Sequence, residues 1–115
     1  MEKVIKIGEK EIKFKSTAGT LLRYRNNFGR DFLKDLVKLQ EKLKNKRTQA
    51  EQFMAMDLQM FSEIAWVMAK TADDSIPNIE KWLDQFDTFD IMQILPQLFD
   101  LIQNNLKQEQ APKNV

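Results

Sequence analysis

The chain has no cysteine and no histidine among its 115 residues, and only three glycines and three prolines. Without cysteine, disulfides, thiolate metal sites and cysteine nucleophiles are excluded. Without histidine, the usual general base and the commonest zinc ligand are missing too. So little glycine and proline argues against a loop-rich, collagen-like or disordered chain. No run approaches the ~18 apolar residues of a membrane span, and the start MEKVIK lacks the apolar stretch of a signal peptide. The expectation is a soluble intracellular protein that is not an enzyme and carries no cofactor and no metal.

What is present suits one domain with a real core. Hydrophobic residues make up 43% of the chain, with eight Phe, two Trp and one Tyr to supply large side chains. The net charge of +1 conceals an uneven distribution. Residues 1–47 hold 14 Lys or Arg against 6 Asp or Glu, a net of +8, and residues 48–115 hold 4 against 11, a net of −7. Such asymmetry marks a nucleic-acid face, an acidic partner or self-association between unlike ends, unless the fold interleaves the halves.

The first element reads as a β-hairpin. Ile5, Ile7, Ile12 and Phe14 alternate with charged residues around a turn at Gly8-Glu9-Lys10, and pairing Ile7 with Ile12 and Ile5 with Phe14 puts all four on one face. An isolated hairpin is marginal in water, so helices must cover that face. Everything after Ser16 is helical in pattern. A first helix follows capping residues Ser16 and Thr17, carries Leu21, Leu22, Tyr24 and Phe28, and stops at Gly29. A second starts at Asp31, with Phe32, Leu36, Leu39 and Leu43 as its apolar line, widened by Leu33 and Val37. A third covers roughly 50–71, with Leu58, Phe61, Ala65 and Met68 in one stripe. A turn at 72–77 places Pro77 in the first turn of a fourth helix, whose Ile79, Trp82, Leu83 and Phe86 share a face. Asp87 and Thr88 cap a fifth, running through Ile91, Leu95, Leu98 and Ile102, with a kink or restart at Pro96. The expected fold is α+β, mostly α: a short N-terminal hairpin packed on a bundle of four to five helices. Its domain spans 1–106, with a flexible tail over 107–115, and the main core residues are Tyr24, Phe28, Phe32, Phe61 and Trp82.

Three constellations invite chemistry. Asp84, Asp87 and Asp90 are spaced by three with no glycine loop between them, which suits helix ends better than a cation cage. Arg23-Tyr24-Arg25, with Arg30 and Lys34, mixes rings and cations as nucleic-acid binders do, but Asp31, Asp35 and Glu41 dilute it and Asp35 offers Lys38 a local partner. Met54, Met56, Met60 and Met68 at helical spacing read as core filler or as part of an adaptable groove.

Three segments carry a family likeness. FKSTAGTLLRYRNNFGRDFLKDL at 14–36 resembles the N-terminal signature of tail assembly chaperones from siphophages and prophages of Gram-positive bacteria. IAWVMAKTAD at 64–73 and IPNIEKWLDQF at 76–86 look like the same family's second half, in the same order. The likeness covers about 4–106, with 43–52 as a variable linker. It implies a small, mostly helical, non-enzymatic protein of the host bacterial cytoplasm that is not part of the mature virion. Such proteins bind the tape measure protein, keep it soluble and are displaced as tail tube subunits assemble. A holdase needs an apolar groove of modest affinity for amphipathic helices, and Trp82, Phe86, Phe89 and Phe99 are the aromatic surplus available for one. The unlike halves point to a homo-oligomer in which Lys34 and Lys38 contribute to self-association. The alternative from a different class is a small DNA-binding regulator using the basic N-terminal half; otherwise no specific nucleic-acid partner and no membrane partner is expected.

Overall fold

A computed structural model of the chain describes residues 2–44, 48, 51 and 57–110, with side-chain surroundings for all of these except 43, 44 and 104–110. It shows an α+β, mostly α fold: a two-stranded antiparallel hairpin followed by a bundle of helices. Strands β1 (Glu2–Ile7) and β2 (Lys10–Lys15) pair with Ile5 opposite Ile12 and Ile7 opposite Lys10. This corrects the expected register by two residues. Gly8 takes φ 64° and Glu9 does not follow it into the left-handed region. A two-residue turn with a positive φ at its first position therefore closes the hairpin without splaying the strands. A slip of two preserves the faces, so Ile5, Ile7 and Phe14 are still buried together, with Ile12 packed at their edge. On the outer face Glu2 lies 3.7 Å from Lys13 and 3.9 Å from Lys15.

Helix α1 spans Ala18–Phe28. At its start Thr20 Oγ1 accepts from the Thr17 N–H at 3.0 Å, and at its end Gly29, at φ 70°, donates its N–H to the Arg25 carbonyl at 2.8 Å. Helix α2 spans Phe32–Lys44, its first turn capped by Asp31, which accepts from the Lys34 N–H at 3.0 Å. Phe32, Leu36 and Leu39 face the core as the spacing predicts, while Leu43 lies outside the residues with described surroundings. Val37 does not widen that line; it is exposed.

Helix α3 begins later than the apolar spacing indicates, at Leu58, and runs to Ala72. Asp57 sets the start by accepting the Met60 N–H at 3.0 Å. Met54 and Met56 lie outside the described residues. Leu58, expected in the core stripe, is exposed, but from Phe61 to Ala69 every residue except Ser62 is buried. α3 is thus the central element, meeting β2, α1, α2 and the next helix. A helix apolar nearly all round belongs in that position. Burying each of Phe61, Ile64, Val67 and Met68 contributes about 1.5–3 kcal/mol.

After α3 the chain turns at Asp73, whose carboxylate accepts the Ser75 hydroxyl at 2.7 Å and the Ser75 N–H at 3.0 Å. The Ser75 hydroxyl, chiefly, holds the Asp73 carboxyl below its usual range. Helix α4 is a single short turn and a half, Ile79–Leu83, capped by Asn78, so Pro77 precedes the helix instead of opening it. Its carbonyl serves a different purpose, accepting Trp66 Nε1 at 2.9 Å and tying the turn to α3. Helix α5, Ile91–Gln110, is capped by Asp90 and not by Asp87 or Thr88. It passes through Pro96 without restarting. Pro96 lies on the solvent side, where helices most readily lengthen their hydrogen bonds. α5 closes the bundle against β1.

Candidate functional site

Of the aromatic residues singled out for a partner groove, Trp82, Phe86 and Phe89 lie together, and Phe99 packs on the core from α5. Trp82 is fully buried. Its ring meets Phe14 edge-on at 6.4 Å, Phe86 at 5.3 Å and Phe89 at 5.8 Å, and Phe89 also meets Phe61 at 5.8 Å. Phe86, Phe89 and Phe99 are half-buried against this core. Trp82, Phe86 and Phe89 therefore seal the junction between hairpin, α3 and the α4–α5 connection, and Trp82 presents no surface to a partner. Phe86 lines a cleft of about 260 Å³ between the hairpin turn and residues 85–88. Trp82 Nε1 is buried with no hydrogen-bond partner among the described residues. Of the other core residues read from sequence, Tyr24, Phe32 and Phe61 are fully covered or nearly so. Phe28 is half-buried, its ring tilted against Tyr24 at 5.2 Å and edge-on to Trp66 at 5.7 Å.

A patch of exposed apolar side chains lies elsewhere, between α1 and α2. A cleft of about 320 Å³ is lined by Ala18, Leu21, Leu22, Arg25, Asp31, Phe32 and Leu33. Leu22 is 62% exposed and Leu21 37%, and Val37, one turn beyond Leu33, is 49% exposed. Sequence reading placed these leucines with Tyr24 and Phe28 on one helix line and so missed the cleft. The signal was available: Leu22 precedes Tyr24 by two residues, about 200° round the helix. Once Tyr24 faces the core, Leu22 must face away.

One cation lines this cleft, and others lie farther round α2. Arg25 lies on its α1 wall, and Lys34, Lys38 and Lys42 follow one another at intervals of four along the exposed side of α2. None of these four is in an ion pair among the described residues. Asp31, also at the cleft, spends its carboxylate on the α2 cap, and Glu41 stands one turn past Val37. On the chain from 73 to 100 the balance is reversed. Asp73, Asp74, Glu80, Asp84, Asp87, Asp90 and Asp100 are all exposed, with Lys81 the single base in that stretch. Asp84 closes α4 and Asp90 opens α5, the helix-end roles expected of them. Among the described residues no group of three or more His, Cys, Asp or Glu converges as metal ligands would.

The helices that wall the cleft are tied to each other and to α3 by a buried polar network. Asp35, read from sequence as a surface partner for Lys38, is buried and turned inward instead. Its Oδ2 accepts from the Tyr24 hydroxyl at 2.7 Å and from Arg30 Nε at 2.8 Å. The same guanidinium donates to Tyr24 Oη at 3.1 Å and to Glu63 of α3, itself buried, and Gln59 supplies Glu63 Oε2 with a further donor at 3.1 Å. Burial first, and then the neighbouring Asp35 carboxylate, push the Tyr24 phenol well above its usual range, so it stays a donor. The hydrogen bond to Asp35, above all, makes Arg30 hold its proton more tightly than usual. Nearby, Arg23 donates to Thr71 Oγ1 at 2.9 Å, and Thr71 donates to the Val67 carbonyl. α1, α2 and α3 are thus locked by side chains that the sequence pattern presents as surface charge. Tyr24 in particular is a core ring, not one open to stacking on a base.

Among the described residues no helix is long and apolar enough to cross a membrane. Comparison of the chain with protein-family models, with curated proteins and with solved structures gives no match.

Proposed function

We propose that this chain is a non-enzymatic phage tail assembly chaperone. It binds the tape measure protein in the host bacterial cytoplasm, keeps it soluble, and is displaced as the tail tube assembles, leaving none in the virion. The observation that carries this reading is the ordered likeness of residues 14–36, 64–73 and 76–86 to that family. Long helical clients expose apolar stripes until their final partner covers them, and such stripes aggregate. The exposed leucines between α1 and α2 suit a transient grip on such a stripe. The basic side chains of α2, Lys34 and Lys38 among them, and the acidic surface of 73–100 are unlike surfaces through which copies can associate head to tail. The DNA-binding alternative keeps Arg25 and the α2 lysines but loses the Tyr24 ring, which is buried.

The test is co-expression with fragments of the tape measure protein encoded beside it, followed by co-purification. The expected result is a soluble complex that purified tail tube protein dissociates. A tape measure fragment that stays insoluble and unbound in the presence of the chain overturns the reading.

A further inference from the structure

The hairpin has an open edge whose chemistry is complementary to itself. Its two-residue loop makes the flanking pair, Ile7 and Lys10, exchange main-chain hydrogen bonds, and the alternation of an antiparallel ladder repeats this at Ile5–Ile12 and Lys3–Phe14. The N–H and C=O groups of Glu2, Val4 and Lys6 therefore point away from β2. Among the described residues no third strand joins the sheet, and these three residues make no main-chain hydrogen bond beyond the hairpin. Their side chains share the outer face and are exposed, Val4 at 53%, and Lys6 is in no ion pair among the described residues. An open row of main-chain donors and acceptors is a template for another strand. A second β1, set antiparallel about a two-fold axis at Val4, places Val4 against Val4 of the second copy and Glu2 against its Lys6, reciprocally. Each of these pairs falls at a hydrogen-bonded position and exchanges both of its N–H···O bonds. Shifting the register by two residues sets Val4 against Glu2 or Lys6 and parts the opposite charges. The edge of β2 lacks this match: about Lys13 it sets lysine against lysine, and α3 packs on that strand.

We propose that the β1 edge is the interface of a homodimer in which two hairpins join as one four-stranded antiparallel sheet, in the order β2–β1–β1–β2. The contact is isologous and closes at two copies. Main-chain bonds attach the strands, the paired Val4 side chains cover each other, and the Glu2–Lys6 pairs fix the register. A four-stranded sheet also relieves the marginal stability of a lone hairpin. The inference does not rest on the chaperone reading. It differs as well from head-to-tail association of the basic and acidic surfaces, which leaves the β1 edge uncovered.

The experiment uses the full chain in sedimentation velocity across a concentration series, where a monomer–dimer equilibrium is expected. Val4→Pro removes an edge N–H and no bond of the hairpin, a place where strands tolerate proline, and should weaken the dimer by about tenfold or more. Glu2→Lys and Lys6→Glu should each weaken it by about tenfold, because like charges then meet across the two-fold axis. An equimolar mixture of those two variants should restore it, since both cross-strand pairs regain opposite signs. The chain has no cysteine, so Val4→Cys supplies one thiol per copy. At a hydrogen-bonded pair the Cα atoms stand about 5.5 Å apart, within disulfide reach, and mild oxidation should yield a covalent dimer. Lys13→Cys, three strand spacings or about 14 Å from its counterpart, should not cross-link. If circular dichroism shows that Val4→Pro does not fold, the charge mixture and the cross-linking decide. A wild-type chain that stays monomeric leaves the edge to a strand of another polypeptide and overturns the proposal. So does a dimer that a folded Val4→Pro variant leaves unchanged, a mixture that stays monomeric, or cross-linking as efficient at Lys13→Cys as at Val4→Cys.

Discussion

Arg30→Ala removes the one cation that faces two buried carboxylates, and the structure allows its cost to be worked out. Asp35 and Glu63 are 2% and 5% exposed, and in the variant neither has a positive partner among the described residues. Stranding a buried charge by deleting its partner costs about 3–5 kcal/mol. Two features place this case at or below the bottom of that range. The Arg30 side chain is 39% exposed, so water enters the space it leaves. Each carboxylate also retains a donor, the Tyr24 hydroxyl for Asp35 and the Gln59 amide for Glu63. The expected loss at pH 7 is therefore about 2–3 kcal/mol, a large share of the roughly 6–17 kcal/mol that a chain of this length has in total. Urea unfolding followed by circular dichroism measures it. The pH dependence gives the sharper check. In the variant a stranded carboxylate favours its neutral form more in the folded than in the unfolded chain, so folding takes up protons. That stability is present at low pH and lost as pH rises, and the gap to wild type should narrow between pH 7 and pH 5. Adding Glu63→Gln to Arg30→Ala should recover about 1 kcal/mol by removing one stranded charge. A loss under about 1 kcal/mol at pH 7, or a gap that does not narrow on acidification, would refute the claim that this network is a buried clamp and make it an ordinary surface ion pair.

Trp66→Phe should destabilise more than Trp82→Phe although Trp82 is the more buried ring, because only Trp66 donates a hydrogen bond, to the Pro77 carbonyl; the expected difference is about 1 kcal/mol by urea unfolding. Gly29→Ala should cost about 1 kcal/mol for the positive φ at the α1 C-cap, while Gly19→Ala, inside α1 with only an ordinary 3.5 Å contact to Thr17 Oγ1, should raise stability by about 0.5–1 kcal/mol in thermal melts. Equal effects at the two glycines would mean that backbone conformation is not what distinguishes them.

Much of this architecture was determined by local chemistry and so is legible in sequence. Alternation at Ile5, Ile7, Ile12 and Phe14 selects one hairpin face, and the pattern survives a register error of two because the side-chain period is also two. Gly29 ends α1 and Asp31 starts α2 because each satisfies helix-end groups within four residues of itself. Periodicity alone brings Phe32, Leu36 and Leu39 inward. What only the tertiary structure decided are the places where several segments compete for one volume. α3 lies at the centre, so nearly its whole circumference is covered and its stripe loses meaning. Trp82, Phe86 and Phe89 pack on one another and on Phe14 and Phe61, distant in sequence, and this turns an apparent groove into a seal. Arg30, Asp35 and Glu63 read as surface charges until three helices bring them within hydrogen-bonding reach and shield them from water. Leu22 and Val37, which propensity and hydrophobicity assign to the core, are left outside because Tyr24 and Asp35 already occupy the inward positions of α1 and α2. The cleft between those helices exists for that reason: the core had room for one face of each helix, and the second apolar face remained on the surface.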